Sequence, residues 1–327
     1  MPAAVTSGIG LAVTPELWAT EALLFLRENL LMARLVNRKY DDDFAQWGDQ
    51  VHVRKHQQLT SQVWSPTSGQ SHIEANWLSA AGNPQPISDI AQTNVEIAKT
   101  STIAVTLDTL RYTQFLLEDF TKAVSIANIM QEYMEPAIHP ISKDVDSDII
   151  TEFLAGSDVD GTSVANVASG GAAAGVDEDN IVDAKTLLDN QLCPQAGRVI
   201  VLGPNHENDL LKRALFHQAD MSGSREVLVN ANLGRKFGFD FFTSQNVPDD
   251  ASDDHSLAFV RDVMTIASRR LPPPGPGAAG ASVSLDALTM RVVQQYVTGL
   301  KGTVIGFDML YGVQLLDANL GAEIQSN

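Results

Sequence analysis

The chain has 327 residues, with 22 basic and 40 acidic side chains, a formal net charge of −18 and a sequence pI of about 4.6. This charge argues against nucleic acid as a main binding partner, because binding to phosphates requires a surplus of Lys and Arg. Hydrophobic residues make up 44% of the chain, which is enough for a sizeable core. One cysteine excludes an intrachain disulfide, and no apolar stretch or basic leader indicates a membrane span or signal peptide. We therefore expect a soluble intracellular protein.

The N-terminal segment combines a mobile arm with a helix. Residues 1–13 are small and weakly patterned, so we expect them to be mobile. Thr14 can cap a helix, and Pro15 and Glu16 suit its first turn. Leucines then recur at helical spacing, which predicts a helix that continues to about Val36.

A long two-stranded arm is predicted at residues 48–108. Alternating residues from Val51 indicate a first strand, and a similar alternation over 94–107 indicates a return strand. The intervening stretch is rich in Ser, Gln, Asn, Pro and Gly and has no helical period. Because a lone hairpin is marginally stable in water, this arm needs a surface to lie on, in its own domain or in another subunit.

Residues 109–155 carry apolar stripes at helical spacing and are predicted to be mainly helical. Pro136 and Pro140 interrupt the pattern, so we expect a shorter helix followed by a long helix that begins or kinks near Pro136. Small residues over 156–175 then predict a flexible loop.

The C-terminal half alternates between helices and strands. The predicted helices are 179–191 and about 205–216, and the predicted strands include Arg198–Leu202 and Phe239–Thr243. Residues 257–270 are apolar but of undefined type. Beyond the proline-rich stretch 271–280, alternating residues predict antiparallel strands joined at Gly299–Gly302 and Gly312.

Several residue patterns are compatible with chemical sites, and each has a structural interpretation that we prefer. Gly299–Gly306 lacks the Gly-Lys-Ser/Thr ending of a phosphate-binding loop and is typical of a hairpin turn. Cys193 has no histidine near it in sequence and is interpreted as a small buried residue. Three histidines are interpreted as solvated side chains: His52, His56 and His72. The acidic groups are also interpreted as solvated: Asp148 and Glu152, Asp41–Asp43, and Asp249, Asp250, Asp253 and Asp254. The basic cluster is interpreted as ion-paired: Arg27, Arg34, Arg38 and Lys39. No catalytic, cofactor or metal site is predicted.

The order of several segments resembles the major capsid proteins of tailed phages, in particular the coat proteins of short-tailed phages. The segments are TPELWATEALLFLRENLLMARLVNRKYDDDFAQWGDQVHVRK (14–55), EYMEPAIHPISKDVDSDII (132–150), RVIVLGPNHENDLL (198–211) and VIGFDMLYGVQLLDANLGAEI (304–324). The resemblance implies an α+β, HK97-like fold with a long spine helix, an extended two-stranded loop (the E-loop), and peripheral and axial domains. The expected segments are an arm with the first helix (1–47), the E-loop (48–108), the spine helix with its following loop (109–178), the axial domain (179–256) and the C-terminal strands of the peripheral domain (257–327).

The resemblance also implies a function. It predicts a non-enzymatic shell subunit that assembles in the host cytoplasm into pentamers and hexamers of an icosahedral virion capsid, enclosing DNA without sequence-specific binding. Separate scaffold and portal proteins are the expected partners, a decoration protein is left open, and no membrane is involved. Arg54, Lys55 and Lys99 on the expected E-loop are predicted to contact neighbouring subunits. Three alternatives stay open: an encapsulin-like compartment shell, a tail component, and a cytosolic hydrolase built around His52, His56 or Asp148.

Overall fold

The computed structural model describes residues 15–40, 50–56, 100–119, 129–156, 163–168, 175–213, 233–248, 254–275, 277–285 and 288–326. The chain divides into a small unit, residues 52–103, and a larger unit that comprises the remaining residues. The expected mobile arm at 1–13 and most of the expected flexible loop at 156–175 lie outside the described residues.

A two-stranded sheet contains most of the described part of the small unit. Strand β1 (Gln50–His56) pairs with strand β2 (Thr100–Thr106). The two predicted strands of the arm are therefore present. The segment between them, 57–99, lies outside the described residues.

The first three helices of the larger unit contribute to one apolar core. Helix α1 (Pro15–Asn29) lies against helix α3 (Ile129–Ala155), and a single turn, α2 (Met32–Leu35), separates α1 from the strands. The predicted continuous helix to Val36 therefore breaks after Asn29. The cause is tertiary, because a carboxylate of α3 accepts hydrogen bonds from the backbone at the start of α2.

Helix α3 spans both of its prolines. Pro136 and Pro140 are exposed and four residues apart, so they lie on the same solvent-facing side of the helix. The carbonyls that lose their helical N–H partners at these positions are on that side, where water can bond them. The opposite side buries Ile138, Ile141 and Val145 in the core.

A five-stranded antiparallel sheet packs on α1 and α3. Its strands are β3 (Thr109–Glu118), β9 (Met264–Arg269), β10 (Ala279–Leu285), β11 (Leu288–Val297) and β12 (Gly302–Leu315). The order is β10-β11-β12-β3, and β9 pairs with the far end of β12. The 14-residue β12 therefore holds three partner strands.

The prediction that the helical region begins at 109 was wrong, because residues 109–118 form β3. Their exposure alternates along the strand, and they pair with β12 from Thr109 opposite Tyr311 to Glu118 opposite Gly302. The helical spacing of the apolar residues was coincidental over this short stretch. The register with β12, more than 180 residues later, determines the structure.

Two loop predictions at the C-terminal end had different outcomes. The turn at 298–301 joins β11 to β12, as predicted from Gly299–Gly302. The predicted break at Gly312 was wrong, because Gly312 lies inside β12. A Cβ at this position would be 1.8 Å from the backbone oxygen of Thr106, so glycine permits a close approach between two chain segments.

A second, six-stranded sheet has the order β4-β13-β8-β5-β7-β6. Its strands are β4 (Ala165–Ala168), β5 (Arg198–Leu202), β6 (Arg235–Lys236), β7 (Phe239–Thr243), β8 (Asp254–Val260) and β13 (Gly321–Ser326). Helices α4 (Glu178–Asn190) and α5 (Pro204–Lys212) belong to this part of the chain. Asp177 and Asn180 form a capping box that begins α4. The stretch of undefined type at 257–270 consists of β8, a short 3₁₀ turn and β9.

Candidate functional site

The outer face of the five-stranded sheet carries a patch of exposed apolar side chains. Along β3, Leu110, Tyr112 and Leu116 are 50%, 63% and 38% exposed, and they alternate with residues turned toward α3. The residues paired with Leu110 and Leu116 on β12 are Leu310 and Val304, both half-buried. We call this surface, Leu110, Tyr112, Leu116, Val304 and Leu310, the outer apolar face.

The outer apolar face has little net charge. The residue opposite Tyr112 is Asp308, which accepts a hydrogen bond from Arg291 Nε at 2.9 Å, and Arg291 Nη2 also bonds it. The positive charge of Arg291 therefore neutralises the negative charge of Asp308 on the sheet. The five residues that define the face are uncharged on a chain of net charge −18, and the exposed Glu118 lies beyond Leu116 at the end of β3.

The inner face of the same sheet is attached to α3 by a charged cluster. Arg111 Nη2 donates to both oxygens of Asp148, at 2.8 and 2.9 Å, and its Nη1 lies 3.5 Å from Asp144. The Tyr311 hydroxyl donates to the same Asp148 carboxylate. Hydrogen bonding to Asp148 raises the pKa of Arg111. Burial, together with the hydrogen bond from the Tyr311 hydroxyl to Asp148, raises the pKa of Tyr311. The cluster joins β3, β12 and α3 and keeps both side chains protonated.

The hydrogen bonds of this cluster show the role of the acidic residues Asp148 and Glu152 on α3. Asp148 is occupied by Arg111 and Tyr311, and Glu152 accepts a bond from Gln314 Nε2 at 3.2 Å. Burial raises the pKa of Glu152. Asp148 and Glu152 therefore serve as separate structural acceptors, and the arrangement offers no vacant carboxylate pair for acid–base chemistry.

The other candidate residues are placed as follows. His52 is exposed on β1, while the side chain of His56 and the whole of His72 lie outside the description. Cys193 is buried, burial raises the pKa of its thiol, and its Sγ donates to the Pro194 carbonyl, so it is a poor nucleophile. Among the acidic and basic groups, Asp254 accepts from Asn205, Lys39 lies 3.8 Å from Asp262, and Asp41–Asp43, Asp249, Asp250 and Asp253 lie outside the described residues.

Of the predicted contact residues, Arg54 is exposed and Lys55 half-buried on β1, and Lys99 lies outside the described residues. Within the described ranges, no group of three or more His, Cys, Asp or Glu side chains could hold a metal ion. No helix in those ranges is both long and apolar enough to cross a membrane.

The sequence could not reveal two features of the larger unit. Arg111 and Asp148 are 37 residues apart, and no local pattern links them. His206 is fully buried between Ser256 and Ser326, with its Nδ1 and Nε2 at 2.6 and 2.7 Å from the two hydroxyls. Two neutral hydroxyl partners make this histidine part of the packing of the six-stranded sheet.

Solved structures share this mixed helix and sheet fold. The chain is similar to a chain of Mycobacterium phage Che8, with a TM-score of 0.63 and 17% identity over 91% of both chains. It is also similar to the capsid of a native GTA particle, with a TM-score of 0.59 and 15% identity over 100% of this chain and 99% of that chain. A virus-like particle from Pyrococcus furiosus gives a TM-score of 0.52 and 8% identity over 95% and 98%. At these identities the likeness establishes the fold, which is that of capsid-type shell subunits.

A family model gives a more specific assignment. Residues 36–270 match the family described as phage capsid protein, and this span is more than half of the chain. The chain therefore belongs to the phage capsid protein family and is a structural protein of a bacteriophage capsid. The resemblance to tailed-phage major capsid proteins is confirmed. No match was found among curated proteins.

Proposed function

We propose that this chain is the major subunit of an icosahedral, HK97-like shell, built from pentamers and hexamers of the chain and enclosing DNA. The observation that carries the proposal is the likeness to the native GTA capsid, which extends over 100% of this chain and 99% of that chain. Every part of the chain thus has a counterpart in a shell subunit. A closed symmetric shell makes many weak contacts cooperative, so no single contact needs to be strong.

We assign the segments of the proposed HK97-like subunit to the elements of the chain as follows. The small unit, 52–103, is assigned as the core of the E-loop (48–108), and α3 as the spine helix. The five-stranded sheet is assigned to the peripheral domain, and residues 179–256 to the axial domain. Strands β4 and β13 pair into the six-stranded sheet, so we include them with the axial strands. Residues 1–47 provide the N-terminal arm and first helix.

Charge supports the outer apolar face as a contact between copies. Subunits of net charge −18 repel one another, so an attractive contact requires a surface without net negative charge. The five residues of the outer apolar face are uncharged, and Asp308, which lies opposite Tyr112, is paired with Arg291. Burial of Tyr112 and Leu110 would add roughly 25 cal/mol for each Å² of apolar surface removed from water.

Basic residues of the proposed E-loop complement this contact. Arg54 is exposed on β1, and we propose that it contacts the acidic surface of a neighbouring copy together with Lys55 and Lys99. We further propose assembly in the host cytoplasm with separate scaffold and portal proteins, and we leave a decoration protein open. The acidic character of the chain would limit adhesion to the enclosed DNA, which requires no sequence-specific binding.

Negative-stain electron microscopy of particles from expressing cells tests the proposal. The wild-type chain should give closed particles tens of nanometres across, and deletion of residues 60–85 should give a soluble, folded subunit that forms none. Tyr112→Lys should also reduce particle yield, whereas Thr186→Lys, an exposed site on α4 with the same added charge, should not. A wild-type chain that stays monomeric under assembly conditions would refute the proposal.

A second candidate, a compartment shell of the encapsulin type, is favoured by the likeness to the Pyrococcus furiosus virus-like particle. The contents of purified particles distinguish the two functions. DNA supports a virion capsid, and a copurified cargo enzyme supports a compartment.

A further inference from the structure

A polar recess opens where three segments of the larger unit meet. It is a cavity of about 340 Å³ between the α1–α2 junction, the middle of α3 and residues 243–246, which begin with the last residue of β7. At about 30 Å³ per water molecule, it has room for a small ion with several waters. It lies at the lower end of the volumes of small-molecule sites, so it is too small for a large cofactor.

The polar side chains in the buried floor of the recess already have hydrogen-bond partners. Asp146 is 1% exposed, and its carboxylate accepts backbone N–H bonds from Leu31 at 2.9 Å, Met32 at 3.0 Å and Ala33 at 3.3 Å. The Ser244 hydroxyl accepts from the backbone N–H of Asn246 at 3.2 Å. A cation entering the recess would therefore have to compete with three N–H groups for the only carboxylate in its lining.

The rim of the recess carries uncommitted donors. His139 and Lys143 are exposed and lie one turn apart on α3, and Gln245 is exposed on the opposite side. In the part of the chain that the structure describes, none of these three side chains makes a hydrogen bond or an ion pair. By contrast, Arg111, Arg198 and Arg291 all pair with carboxylates.

We propose that this recess binds a small oxyanion, either inorganic phosphate or a carboxylate, with Lys143 as the cationic ligand and His139 and Gln245 as further N–H donors. Charge-assisted hydrogen bonds are the strongest available to such a group. The one carboxylate among the described lining residues, Asp146, is 1% exposed and accepts from three backbone N–H groups, which offset its repulsion of the anion. A lysine ammonium binds an oxyanion as a point charge, without the fixed geometry that arginine requires. The proposal does not depend on shell formation.

The test is a titration of the unassembled full-length chain with sodium phosphate and, separately, with sodium acetate, against sodium chloride at equal ionic strength. The readouts are the imidazole NMR shifts of His139 and the thermal midpoint of unfolding. We expect a saturable response in the millimolar range. Lys143→Gln should weaken binding by about tenfold, and Lys185→Gln, a lysine of α4 away from the recess, should leave it unchanged.

The two anions distinguish the sources of the ligand. A saturable response to phosphate alone identifies a phosphate site, and a response to acetate alone or to both identifies a site that accepts carboxylates. The proposal is overturned if neither anion gives a saturable response at tens of millimolar, or if Lys143→Gln responds as the wild type does. Lys143 is exposed and Lys185 is half-buried. Both variants are compared with the wild type in the folded state, so misfolding would be seen directly in the NMR spectrum.

Discussion

Asp146 makes the stability of the subunit depend on pH in an unusual direction. The side chain is almost completely buried on α3, and burial raises the pKa of Asp146 from 3.8 to about 6 despite the three backbone N–H bonds that favour its charged form. The folded chain therefore binds this proton more tightly than the unfolded chain. The associated stabilisation is fully present below about pH 4 and is lost as the pH rises through about 6.

The Asp146→Asn variant isolates this effect, because asparagine does not titrate. The difference between 3.8 and about 6 corresponds to roughly 3 kcal/mol. The free energy of unfolding of the wild type, relative to that of Asp146→Asn, should thus fall by about 3 kcal/mol between about pH 4 and about pH 7. A constant offset of about 1–3 kcal/mol is also expected, since the amide oxygen cannot accept all three N–H bonds.

Urea denaturation of the unassembled wild-type and Asp146→Asn chains, followed by circular dichroism across this pH range, measures the difference. Asp183→Asn, which removes an exposed carboxylate from α4, controls for the loss of one negative charge. Parallel stability curves for wild type and Asp146→Asn would refute the reasoning. A difference that grows in favour of the wild type as pH rises would show that the N–H bonds outweigh burial.

Three further predictions concern the stability of the unassembled chain, measured by urea denaturation. Arg111→Met should lower the free energy of unfolding by about 1–2 kcal/mol, a modest loss because the cluster is partly exposed, and an unchanged value would remove its structural role. Gly312→Ala should lower the free energy of unfolding by more than about 2 kcal/mol, since the new Cβ would lie 1.8 Å from the Thr106 oxygen. Gly306→Ala in the same strand should change the free energy of unfolding by less than about 0.5 kcal/mol. Equal effects of the two substitutions would contradict the close approach at Gly312. Leu192→Gly should raise the free energy of unfolding by about 0.5 kcal/mol, because Leu192 is 77% exposed and has φ 58°. A non-glycine residue in this conformation costs roughly 1–2 kcal/mol, and glycine recovers only part of this because it increases the entropy of the unfolded chain. A loss of stability would show that the Leu192 side chain has a packing role.

Local patterns were sufficient where a segment carries its own signals. Strand Arg198–Leu202 was predicted with its observed bounds, and α4 within one residue at each end, because the local pattern of apolar residues defines them. Strand β3 was missed because its apolar residues fit both periods, and pairing with β12 decides between them. The break between α1 and α2 depends on Asp146, which lies more than 110 residues away.

The candidate sites were harder to predict than the fold. The outer apolar face combines β3 with β12, and the oxyanion recess combines three segments that are distant in sequence. Neither site is marked by a regular spacing of residues along the sequence. The family resemblance, by contrast, rests on the order of several local segments, and each of these can be read directly from the sequence.

The separation of more than 180 residues between β3 and its partner β12 has a consequence for biosynthesis. Strand β3 leaves the ribosome long before Gly302–Leu315, its only partner among the described strands, and β13 follows later still to pair with β4 and β8. Neither sheet can close until translation has passed these strands, so a prematurely terminated chain would expose unpaired strand edges to aggregation and proteolysis. Both sheets therefore close only after the last of these strands has been synthesised.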